Sequence, residues 1–168
     1  FRSVTSPLEA RYGPPDLALD GFKLWVHSYQ FPEPTAYPED NDWLMVSASY
    51  AAPDGDVWFE RDPGLYVPDL QRWVAELALL RIGNALSATL AAYDPIFSIV
   101  AVANGGATYT CEVKVNPSAA TTRVDGSHND DDDIQDEVEP WGFEVTPDDL
   151  QACAARAAAI LARYPTRR

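Results

Sequence analysis

The run Ile96–Val115, IFSIVAVANGGATYTCEVKV, reads as two strands joined by a turn. In its second half Ala107, Tyr109, Cys111, Val113 and Val115 alternate with Thr108, Thr110, Glu112 and Lys114. Alternation with a period of two marks a strand with one buried and one wet face, the usual arrangement in an antiparallel sheet. Asn104-Gly105-Gly106 supplies the turn, because glycine accepts the positive φ of a tight reversal. A three-residue loop there pairs Ala101 with Tyr109, Ile99 with Cys111 and Phe97 with Val113, all on the buried side. A two-residue loop sets Ser98 opposite Cys111 and is disfavoured, since a slip of one residue carries every side chain to the wrong face.

Working outward, Ser87–Tyr93 reads as a short strand that Asp94-Pro95 breaks before the hairpin. Pro68 suits the first turn of a helix, and Leu70, Trp73, Val74, Leu77 and Leu80 recur on one helical face until Gly83-Asn84 ends it. Nearer the N-terminus, Gly21–Phe31 alternates Phe22, Leu24 and Val26 with Lys23, Trp25, His27 and Tyr29, which predicts a strand with a core face and an aromatic outer face. Trp43–Tyr50 follows, with Leu44, Val46, Ala48 and Tyr50 on one side. Pro53-Asp54-Gly55 then turns the chain into a return strand, Val57–Arg61.

On the other side of the hairpin, Trp141–Val145 is expected as a final edge strand. Thr146-Pro147-Asp148-Asp149 combines a capping hydroxyl, a proline at the first helical position and two acids at the positive end of the dipole. A helix is predicted from there to about Arg163, stapled by Val145 against Leu150 and burying Leu150, Cys153, Ala157, Leu161 and Tyr164. The whole makes an α+β fold: an antiparallel sheet of about 5–7 strands with a middle helix and a C-terminal helix. At 168 residues, 46% hydrophobic, the chain suits a single domain over 1–168, with a Pro-rich, poorly ordered lead over 1–20 and an acidic loop over 117–139.

That loop lies in the most charged part of the molecule. Between Val124 and Ala155 stand eleven carboxylates and no Lys or Arg, so most of the formal net charge of -14 sits there. Such a field repels nucleic acid and anionic lipid and draws a basic protein. Asp130, Asp131, Asp132, Asp133, Asp136, Glu137 and Glu139 are therefore candidate partner-binding residues. Trp25, Tyr29, Trp43 and Trp58, aromatics of the first three strands, join them, because such side chains anchor protein interfaces; sequence periodicity alone also allows them to lie beneath a helix.

Catalytic and metal chemistry find little support. The Asp run lacks the glycine that a calcium loop needs at its sixth position, where Ile134 stands. His27 and His128 are the two histidines, one on a strand beside aromatics and one in the acidic loop. Asp40 with Asp42, and Asp54 with Asp56, are carboxylate pairs at expected turns, and the alternative they leave open is a small-molecule or carbohydrate enzyme. Cys111 and Cys153 lack the spacing of a zinc or redox motif and read as buried free thiols of a reducing compartment. No cofactor is implied, no apolar run is long enough to span a membrane, and the first residues lack a signal-peptide core.

Taken in order, Tyr29-Gln30-Phe31-Pro32, Asp42-Trp43-Leu44, Trp58 with Asp62-Pro63-Gly64-Leu65, the helix Leu70 to Trp73, Asp94-Pro95-Ile96-Phe97 and Leu161-Ala162-Arg163-Tyr164-Pro165 resemble the WapI-like immunity proteins. The likeness runs from about Asp20 to Pro165, and the Asp-rich insertion and Pro-rich N-terminus depart from the family pattern. It implies a bacterial, cytoplasmic antitoxin of a polymorphic toxin system. Such a protein is no enzyme: it binds the C-terminal toxic domain of a surface or secreted protein, often a nuclease acting on tRNA, and blocks it without chemistry. An accessory interaction domain with another partner is the further alternative.

Overall fold

The computed structural model describes residues 7–91, 96–117 and 139–167. Among the described residues eight strands form two four-stranded antiparallel sheets rather than one sheet of 5–7 strands, and three α-helices accompany them. Sheet A has the order β1 (Leu17–Leu19), β2 (Phe22–Tyr29), β3 (Trp43–Ala52), β4 (Gly55–Tyr66), and sheet B the order β5 (Ser87–Ala91), β6 (Phe97–Ala103), β7 (Tyr109–Val115), β8 (Trp141–Val145). The helices are α1 (Pro7–Tyr12), α2 (Val67–Arg81) and α3 (Pro147–Arg163). The α+β class therefore holds, with β8 at a sheet margin as its position before the last helix suggests.

One hydrophobic cluster joins both sheets to α2 and α3. Phe97 of sheet B stacks between Phe22 and Phe59 of sheet A, at ring separations of 5.7 and 6.4 Å. Gly64 permits the closest approach, since a Cβ there would lie 2.7 Å from Ile96 Cδ1. Trp141 adds a second bridge by stacking on Tyr50 at 4.6 Å.

Helix α2 buries Leu70, Trp73, Leu77 and Leu80, as its periodicity predicts. Each contributes roughly 2–3 kcal/mol of burial. It ends where Gly83, at φ +80, reverses the chain. There Gly83 N–H donates to Leu80 O and Asn84 N–H to Leu79 O, at 3.2 and 2.9 Å. Helix α3 starts on the expected Thr146 cap, which the structure completes as a capping box: Asp149 N–H donates to Thr146 Oγ1 at 3.1 Å and Thr146 N–H to Asp149 Oδ2 at 2.9 Å. Its deepest residues are Leu150, Cys153, Ala157 and Ile160, while Leu161 and Tyr164 are half-buried.

The signature hairpin forms, but its register differs from expectation by two residues: Ala101 pairs with Cys111, Ile99 with Val113 and Phe97 with Val115. Five residues, 104–108, make the loop. Asn104 Nδ2–H donates to Thr108 Oγ1, Thr110 O–H donates to Asn104 Oδ1, and Gly105 sits at φ +76. An even shift leaves every side chain on its expected face. The Asp94-Pro95 break and most of the acidic loop lie outside the described residues. Over 7–19 the Pro-rich lead carries α1 and β1, with Leu8 and Leu17 fully buried.

On the open side of β5, Thr89 N–H donates to Glu76 Oε2 of α2 at 2.9 Å. A helix carboxylate thus occupies a backbone group that an edge strand would otherwise expose.

Candidate functional site

Three irregularities in sheet A decide where the candidate aromatics go. Register shifts fall at His27 in β2 and at Arg61 and Gly64 in β4. Arg61 has φ +48, a strained value for a residue with a Cβ. Ser47, fully buried in β3, lies between the first two: its hydroxyl is 2.8 Å from His27 Nε2 and accepts Arg61 N–H at 2.9 Å. One side chain therefore ties a bulge on each neighbouring strand, and a bulge moves the following residues to the other face.

Tyr29 shows the consequence. Strict alternation places it on the outer face with Trp25, but beyond the His27 bulge it pairs with Leu44 and shares the inner face. Its hydroxyl donates to Pro165 O at 2.6 Å and its ring meets Tyr164 edge-on at 5.3 Å. Trp25 stays on the outer face yet is only 2% exposed, because α1 lies across it. Its indole N–H donates to Gly13 O at 3.0 Å, and the Tyr12 ring is 6.5 Å away.

Trp43 and Trp58 remain on the outer face and are partly exposed. They do not form one cluster. Trp43 pairs with Tyr66, ring to ring at 4.9 Å, whereas Trp58 pairs with Ser49, six residues along β3 and so about 20 Å away. Asp130, Asp131, Asp132, Asp133, Asp136 and Glu137 lie outside the described residues, while Glu139 is exposed two positions before Trp141. The sequence-selected set thus separates into a covered tryptophan, an inward tyrosine and two distant outer-face tryptophans.

Beside Trp43 the chain from Gln30 to Asp42 is held by polar contacts that its prolines do not announce. Thr35 N–H and Oγ1–H both donate to Asn41 Oδ1, at 2.6 and 3.0 Å, around a single 3-10 turn, Pro38–Asp40. Arg167 clamps the segment from the C-terminal side. Its guanidinium donates to Phe31 O, Pro32 O and Asn41 O, stacks 3.6 Å above the Tyr29 ring, and its backbone N–H donates to Asp42 Oδ1 at 2.8 Å. Tyr37 and Phe31 project from this segment, 64% and 37% exposed. Sequence reading missed both; the available signal was aromatic residues interleaved with Pro and Glu between two strands.

Among the described residues the groups with chemical potential are buried or dispersed. Burial, aided by Arg61, holds the His27 imidazole below its ordinary value. Its ring also lies 4.5 Å from that of Tyr12, and its Ser47 neighbour is sealed from solvent. Burial raises both thiols, Cys111 and Cys153, to about 12, so neither is a thiolate at neutral pH. Asp42 is buried, Asp40 is half-buried in the 3-10 turn, and Asp54 and Asp56 flank an exposed hairpin turn. Among the described residues no three His, Cys, Asp or Glu side chains are grouped to hold a metal, and no helix is long and apolar enough to cross a membrane.

Comparison with known proteins adds what geometry does not. Residues 17–165 match the family model of the Immunity protein WapI-like family. Among solved structures, a chain of the CdiA-CT/CdiI toxin and immunity complex from Enterobacter cloacae is a distant likeness: 12% identity over 82% of this chain and 99% of that one, with a TM-score of 0.39. No curated protein matches.

Proposed function

The chain belongs to the WapI-like immunity protein family, and on that premise we propose that it protects its bacterial host by binding a cognate toxin domain and occluding it. The toxin we infer is basic and of nuclease type. Family membership across 17–165 carries this reading. The net charge of -14 supports the choice of partner, since a strongly acidic domain is attracted to the cationic cleft with which a nuclease holds nucleic acid. Occlusion requires no turnover. Long-range attraction speeds the encounter and selects the partner, while desolvated aromatic anchors slow dissociation.

The carboxylates of the acidic loop, Glu139 and the part-exposed Trp43 and Trp58 are the residues offered for that contact. Two buried free thiols fit residence in the reducing cytoplasm. Co-expression with the C-terminal domain of a toxin encoded beside it in the host genome provides the test. The expected outcome is restored growth and co-purification as a stable complex; continued toxicity together with no complex overturns the proposal.

A further inference from the structure

We propose that the end of sheet A formed by residues 30–43 and Tyr66 is a docking surface for an arginine- or lysine-bearing segment of the toxin. This rests on the immunity reading above and goes beyond it by naming the contact. Tyr37 and Phe31 are exposed on this segment, whose start is joined to the strand end that carries the Trp43–Tyr66 ring pair by the bond from Gln30 N–H to Trp43 O at 2.8 Å. Exposed aromatic side chains on a held backbone lose little conformational freedom on binding.

Charge selects the occupant. From Gln30 to Trp43 the chain carries four carboxylates and no Lys or Arg, and Asp42 among them already accepts the Arg167 N–H. Two of them, Glu33 and Glu39, are exposed on either side of Tyr37. The molecule also demonstrates the recognition chemistry within itself, because the Arg167 guanidinium lies 3.6 Å above Tyr29 while donating to three carbonyls of the same segment. A planar cation between an aromatic face and oxygen acceptors is a favourable pairing. A second copy of this chain would bring carboxylate against carboxylate and is disfavoured. The Thr35–Asn41 contacts and the Arg167 clamp keep the surface in shape before the partner arrives.

The test uses the full chain and the purified, catalytically inactivated toxin domain encoded beside it. Tyr37→Ala combined with Glu33→Lys and Glu39→Lys changes exposed side chains, and its thermal midpoint serves as the check on folding. The expected result is a loss of affinity of about tenfold or more, with slower association at low salt and slowed hydrogen exchange over 30–43 in the wild-type complex. Glu112→Lys, on the far face of sheet B, is expected to bind as the wild type does. Wild-type affinity in the triple variant, or exchange protection confined to other segments, overturns this surface and leaves the immunity function standing. A wild-type protein that captures no toxin overturns both.

Discussion

Sheet A and sheet B share a core and an antiparallel plan but treat regularity differently. The described strands of sheet B pair without a register shift, and among their outward side chains Glu112, Lys114 and Glu144 are exposed. Sheet A carries three shifts, a strained Arg61, a helix laid over its outer face and a segment clamped at one end. Departures from ideal pairing cost stability and persist where other contacts over-determine them. Here those contacts are Ser47 between the bulges and the ion pairs that fasten α1, Lys23 with Glu9 at 2.6 Å and Arg11 with Glu60. The difference is one of regularity: sheet B keeps an unbroken register, and sheet A is shaped by its bulges.

Four measurements strain that contrast, from the largest effect to the smallest. Ile99→Ala opens a cavity on the regular side and is expected to cost about 3 kcal/mol in urea unfolding. Because one cluster spans both sheets, near- and far-ultraviolet signals should still coincide; separated transitions would mean that the sheets unfold independently. Gly64→Val places methyl groups against Ile96 and Val46 at the junction. A loss of about 2 kcal/mol is expected by the same assay, and an unchanged midpoint would show that the sheets are free to separate there.

Ser47→Ala removes the link between the two bulges while leaving sheet B untouched. About 1.5 kcal/mol should be lost, with faster hydrogen exchange in β2 and β4 and none in β6 and β7. The smallest effect concerns His27, whose ionisation burial and Arg61 hold below the ordinary 6.5. An unfolded chain at 6.5 takes up the proton first as pH falls, so this contribution to stability is complete above that value and lost progressively below it. His27→Gln should flatten the stability profile as pH falls below 6.5, while variants of sheet B retain the wild-type slope.

Sheet B was the more readable half for a physical reason. A regular strand keeps its period from end to end, so the alternation from Ala107 to Val115 carried the fold, and the one error, a five-residue hairpin loop where three were expected, preserved every face. In sheet A the period breaks at His27, and strict alternation then sends Tyr29 to the wrong side. Nothing in residues 7–12 announces that a short helix will cover Trp25, since one turn and a half is too brief for a periodic signal. Thr146 to Leu150 was legible because capping chemistry is local. Arg167 was not, because its partners are more than a hundred positions away in sequence.

The bond from Glu76 to Thr89 has a bearing on life in a crowded cell. Naked strand margins recruit one another end over end into filaments. By turning a neighbouring carboxylate onto the outermost strand of sheet B, the middle helix lets copies accumulate without seeding such a fibre there.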